Sequence, residues 1–151
     1  MTETALEHFL EWGEGRAVTP VIRRLFADSE TPMGLYRKLS RGRGSFLLES
    51  ADQAGKWARY SFLGVSVHGV LWEHEGEPRW LDAGMSVEQA MGGALPSGPL
   101  DALEMLHTRW LSEPIEGLPP FAGGLVGHIG WEAVRHLEHL PHPPRPTHHP
   151  P

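Results

Sequence analysis

Residues 45–64 read SFLLESADQAGKWARYSFLG, and the fold is decided by how this stretch is parsed. Phe46, Leu47 and Leu48 form a continuous apolar run between a turn containing Gly42 and Gly44 and a polar loop opening at Glu49-Ser50, which is the pattern of a buried strand over 45–51. Tyr60 to Gly64 repeats the pattern on the far side of the loop. Continuing outward, Val65 to Trp72 and Pro78 to Asp82 predict two more strands, with Glu75-Gly76 as the turn between them, so an antiparallel meander is expected.

The flanks are helical. Thr31-Pro32 supplies an N-cap with proline at the first helical position, followed by Met33, Leu35, Tyr36 and Leu39. Thr4 to Trp12 places Ala5, Leu6, Phe9 and Leu10 on one helix face. Between these two segments, Val18 to Phe26 suits either a helix or an extended run beginning at Pro20. Downstream, Leu100 to Leu111 is a patterned helix whose expected buried face is Leu103, Leu106, Trp110 and Leu111. Phe121 to Trp131 carries Gly123, Gly124, Gly127 and Gly130 and reads as a closely packed strand running into a short helix at Glu132–Glu138. No later strand is present to pair with it. The order of elements predicts an antiparallel α+β fold in one domain over residues 1–140. The Pro/His-rich tail 141–151 is expected to be disordered.

Composition removes several functions. The chain has 151 residues, 40% hydrophobic and 21% charged, which suits a globular domain. With no cysteine there is no disulfide, thiolate metal site or cysteine nucleophile. A formal charge of -6 argues against a nucleic-acid partner. The absence of a long apolar run and the acidic first fifteen residues point to a cytoplasmic protein without signal peptide or membrane span.

Glu49-Ser50 closes an apolar run with a carboxylate beside a hydroxyl, a place to hold an ammonium group. The alternative is a surface carboxylate followed by a turn. Lys56, Arg59 and Tyr60 follow across the loop, so strand pairing would bring a cation near Glu49-Ser50 and create a zwitterion site. A cross-strand Glu49–Arg59 salt bridge fits the same sequence. The glycines at 123, 124 and 127 lack the order and the Lys-Ser/Thr of a phosphate loop. His136 and His139 are spaced for a metal, but the remaining ligands are missing. No catalytic constellation is found.

Three segments together, TPMGLYRKL at 31–39, SFLLES at 45–50 with RYSFLG at 59–64, and LPPFAGGLVG at 118–127, resemble the amino-terminal region of anthranilate synthase component I in order and spacing. Pro99-Leu100-Asp101-Ala102-Leu103 extends the likeness, which covers Thr19 to Pro144. The LLES and RYSFLG pair is shared with aminodeoxychorismate synthase component I of the folate pathway.

The resemblance implies the amino-terminal portion of an antiparallel α/β sandwich, incomplete without a carboxy-terminal half. It further implies that the complete protein uses Mg2+ and ammonia from glutamine amidotransferase component II to convert chorismate into anthranilate and pyruvate. The family's chorismate, Mg2+ and acid-base residues lie in that carboxy-terminal part, so no catalytic residue, metal ligand or cofactor is carried over. What carries over is an inhibitor site for L-tryptophan: Ser50, its neighbour Glu49, and Arg59, half of a pocket that the family completes with a later Asn-Pro-Ser-Pro-Tyr-Met segment. The departure from the family after Leu140-Pro141 suggests an interrupted reading of a longer gene. A chain inactive alone is then expected. A stand-alone amino-acid-binding or interaction module is the reading from another class.

Overall fold

The computed structural model describes residues 5–15, 18–49, 60–111, 114–119 and 121–141. Helix α1 (Leu6–Gly13) carries its apolar residues on one face and buries none of them. His8 and Trp12, one turn apart, stack at 5.7 Å between ring centroids. Residues 18–27 are neither helix nor ladder apart from one bridge residue at Arg23, so this stretch does not take the helical alternative. Pro20 explains the choice: its missing N–H and fixed φ disfavour a helix running through it.

Helix α2 (Pro32–Leu39) forms as its caps dictate. The Thr31 hydroxyl accepts from the Gly34 amide at 3.0 Å, and Arg37 and Lys38 sit in the last turn, where a helix favours cations. The Tyr36 hydroxyl then donates to the Ser45 carbonyl at 3.2 Å, fixing α2 against the start of β1 (Phe46–Leu48).

Strand β1 pairs antiparallel with β2 (Phe62–Gly64), matching Phe46 to Gly64 and Leu48 to Phe62. The Phe46 ring lies over Gly64, where a Cβ would come within 2.1 Å of it. Strands β3 (Gly69–His74) and β4 (Glu77–Asp82) pair from Gly69–Asp82 to His74–Glu77. Their two-residue turn has positive φ at both Glu75 (53°) and Gly76 (82°), the twist that suits a tight hairpin.

The expected meander is interrupted. β2 does not pair with β3, and the strands form two separate two-stranded sheets. The connecting residues give their carbonyls elsewhere: Val65 accepts from the Arg41 amide at 3.2 Å and His68 from the Ala83 amide at 3.1 Å.

A further helix, α3 (Val87–Met91), is absent from the sequence reading. Its signal is the capping box Ser86-x-x-Gln89: the Ser86 hydroxyl accepts from the Gln89 amide while the Gln89 side chain accepts from the Ser86 amide. Gly92 ends the helix at φ 79°. The Glu88 carboxyl sits below its ordinary range because its own backbone N–H and then the Ser86 hydroxyl donate to it.

Helix α4 (Pro99–Trp110) packs on α3. Ala90, Met91, Ala102 and Leu106 are buried at this junction, with Leu71, Trp80, Met85, Val87, Leu95 and Trp110 around them. The buried face differs from the expected one at Leu111, which is 58% exposed. It is the C-cap residue in extended conformation and so leaves the helical stripe, while Ala102 and Leu106 turn inward. The expected strand over 121–131 is also absent: residues 121–130 form no ladder, and Trp131–His136 is a 3-10 helix in place of the expected helix over 132–138. Glycine-rich backbone is costly to hold extended, and no described strand lies along this segment to repay it with hydrogen bonds. The architecture is α+β, as expected. The tail proposed for 141–151 lies outside the described residues beyond Pro141.

The close approach of Trp80 to Gly69 gives a test, since a Cβ at Gly69 would meet the ring at 1.9 Å whereas one at Gly93 would meet nothing within 4 Å. Gly69→Ala should destabilise the β3–β4 hairpin by about 1–3 kcal/mol, as overpacking does, and Gly93→Ala should have little effect. Amide exchange across β3 and β4 reads the difference.

Candidate functional site

The site expected from sequence begins where β1 and β2 leave their ladder. Because Leu48 pairs with Phe62, the next residues outward, Glu49 and Ser61, emerge side by side at one end of the pair. Glu49 is exposed. Tyr60 is 45% exposed, and its ring lies 6.1 Å from that of Phe62. The strand pairing required by the zwitterion argument is therefore present. Ser50, Lys56 and Arg59 lie outside the described residues, which stop at Glu49 and resume at Tyr60.

Two contacts missed by the sequence reading attach the glycine-rich segment to the sheets. Phe121 meets Phe62 edge to face at 5.6 Å and 87°. His136 Nε2 lies 3.0 Å from Glu73 Oε2 at the end of β3. Both pairs are distant in sequence and follow no local pattern, so periodicity and capping rules could not reveal them. Arg135 bonds Glu132 and reaches the Leu140 carbonyl at 3.2 Å, closing the 3-10 turn on itself.

Two open depressions flank α4. One, of about 530 Å³, is lined by Met91, Asp101, Glu104, Met105, Thr108 and Arg109. The other, of about 450 Å³, is almost wholly apolar and lined by Leu100, Leu103, Glu104, His107 and Leu125. Neither includes Glu49 or Tyr60. Among the described residues no three His, Asp or Glu side chains converge as metal ligands. His136 is engaged with Glu73. No helix among the described residues is long and apolar enough to cross a membrane.

Comparison with known proteins decides the relationship. Over 140 residues the chain is 43% identical to anthranilate synthase component 1 of Arthrobacter globiformis, a match that takes in 92% of this chain and 25% of the relative. The chain is homologous to the amino-terminal region of anthranilate synthase component 1. The protein of that name from Mycolicibacterium smegmatis is 42% identical over 139 residues, covering 91% of this chain and 26% of its own length. That from Neisseria meningitidis is 34% identical over 136 residues, covering 90% and 27%. No family model matches the chain. The chain spans about a quarter of the length of the anthranilate synthase relatives it matches.

Much apolar surface of the described residues is uncovered. Ile129 is 68% exposed, Trp131 88% and Leu137 75%, and all three lie on the segment that lacks a ladder partner. Large apolar side chains left this exposed favour association in water. The isolated 151-residue chain should therefore self-associate or melt without cooperativity. A monodisperse monomer in light scattering with a sharp thermal transition would contradict this.

Proposed function

We propose that the chain is the regulatory amino-terminal portion of an anthranilate synthase component I, and that it supplies half of an L-tryptophan inhibitor site. The observation that carries this reading is the sustained 43% identity over 140 residues to a protein of that name. The shared name across relatives favours the anthranilate branch over aminodeoxychorismate synthesis. In this reading Glu49 faces the ammonium of the bound amino acid, Arg59 its carboxylate, and Ser50 exchanges hydrogen bonds with both, because paired opposite charges and a hydroxyl match a zwitterion. The β1–β2 pairing supports it by setting Glu49 beside the strand that follows Arg59.

The complete protein would act in the cytoplasm, taking ammonia from glutamine amidotransferase component II and converting chorismate to anthranilate and pyruvate with Mg2+. No catalytic or metal role falls to residues of this chain. Residues 1–151 by themselves are proposed to be inactive, with the chorismate-binding half supplied by further sequence.

Two measurements test the proposal. The purified chain with chorismate, Mg2+ and ammonia should give no anthranilate fluorescence, and turnover above background would overturn the regulatory assignment. In a complete component I made by joining residues 1–140 to the remainder of the Arthrobacter globiformis relative, Ser50→Phe should leave turnover near normal. It should weaken L-tryptophan inhibition roughly five- to 150-fold, the effect of unpairing one buried polar group. Unchanged sensitivity, or loss of turnover, would remove Ser50 from the site.

A further inference from the structure

We propose that Met105 on α4 is a peroxide-sensitive modification site, whose conversion to the sulfoxide draws Arg109 away from α3 and opens the buried Met91 to the same oxidant.

Exposure separates the two methionines. Met105 is 38% exposed and Met91 4%, yet both line the open depression of about 530 Å³ beside α4. Thioether oxidation follows access, so one wall of the depression offers a reactive sulfur and another a protected one. The oxidant required is a peroxide. A lone pair on the Met105 sulfur attacks one peroxide oxygen and the O–O bond breaks. The thioether is oxidised by two electrons to the sulfoxide, and hydrogen peroxide is reduced to water. A polar oxygen then stands on a side chain that was apolar.

Arg109 gives that oxygen its consequence. Met105 and Arg109 are four residues apart on α4 and so share a helix face, with Thr108 on the same wall. Arg109 already holds the end of α3. Its Nε donates to the Gln89 carbonyl at 3.3 Å, and a Cβ at Gly92 would come within 2.8 Å of its Nη1. The bond to Gln89 is exposed and longer than the usual N–H···O distance. A sulfoxide oxygen one turn away, a far stronger acceptor than a thioether sulfur, competes for the guanidinium. Helix α3 has five residues and cannot persist unaided. Withdrawal of Arg109 leaves the Trp110 bond to Ala90 to hold it. Met91, the last residue of α3, is then the first core side chain released. Oxidation of Met91 places a polar group among Ala90, Ala102 and Leu106 and keeps the junction open.

The test treats the complete component I described above with hydrogen peroxide and follows each methionine by peptide mass spectrometry. Met105 should convert alongside Met33, which is 49% exposed on α2. Met91 should start about tenfold slower, the ratio of the Met105 and Met91 exposures, and accelerate as Met105 is consumed. Amide exchange in α3 should quicken with conversion of Met105, and recover when methionine sulfoxide reductases for both epimers restore the thioethers. Met105→Leu conserves volume and should hold Met91 at its slow initial rate. Arg109→Gln removes the clamp and should let Met91 oxidise without a lag.

Met105 remaining a thioether while Met33 converts would overturn the proposal. So would one Met91 time course shared by the parent and Met105→Leu, or unchanged α3 exchange after full conversion of Met105. Should Met105→Leu fail to accumulate, Arg109→Gln decides: a Met91 lag that persists there removes Arg109 from the route and the proposal with it. None of these readouts depends on L-tryptophan, so failure of the inhibitor-site reading is told apart from failure here.

Discussion

The indole of Trp110 donates to the Ala90 carbonyl at 2.8 Å, and the packed part of the structure depends on this bond. A five-residue helix such as α3 is far too short to persist unaided, because the first turn fixes several dihedrals for one hydrogen bond. Trp110 takes up one of its terminal carbonyls, and the neighbouring Arg109 donates to the Gln89 carbonyl at 3.3 Å. These carbonyls would otherwise lack intrahelical donors. With α3 held, Ala90 and Met91 can be buried against Ala102 and Leu106. Trp80 joins the β3–β4 hairpin to the same cluster, donating to the Met85 carbonyl at 3.0 Å just ahead of the capping box. Two tryptophans thus tie hairpin, short helix and long helix around one small core.

Away from that cluster the chain is organised by caps and turns more than by burial. Helix α1 buries no residue, and Phe26 in the extended stretch is 90% exposed. Local chemistry suffices to set α2, because Thr31 and Pro32 define its start without tertiary help. It suffices also for the β3–β4 turn, where Glu75 and Gly76 both accept positive φ. These elements were legible in the sequence for the same reason that they form with little core: their determinants lie within four or five residues of one another.

What was not legible depended on distant partners. The break between β2 and β3, where the Arg41 and Ala83 amides donate to the Val65 and His68 carbonyls, leaves no trace in the apolar pattern. Helix α3 did carry a readable signal in Ser86 and Gln89, but five residues give too short a period for its hydrophobic face to stand out. Leu111 was misassigned because periodicity cannot tell the last helical residue from the cap. Of the candidate site, the strand pair and Glu49 at its end were legible, while Ser50 and Arg59 lie outside the described residues.

The glycine-rich segment shows how an apolar sequence can remain without a ladder. Its glycines remove the side chains that would stiffen a strand, so its conformation is determined by whatever lies alongside. Among the described residues it meets an aromatic edge at Phe62 and lines the apolar depression on α4 with Leu125, and the 3-10 helix that follows touches Glu73 through His136. Such contacts are few against the cost of fixing the ten residues 121–130 at about 1–2 kcal/mol each. Further packing surface is therefore needed to hold the segment in one conformation.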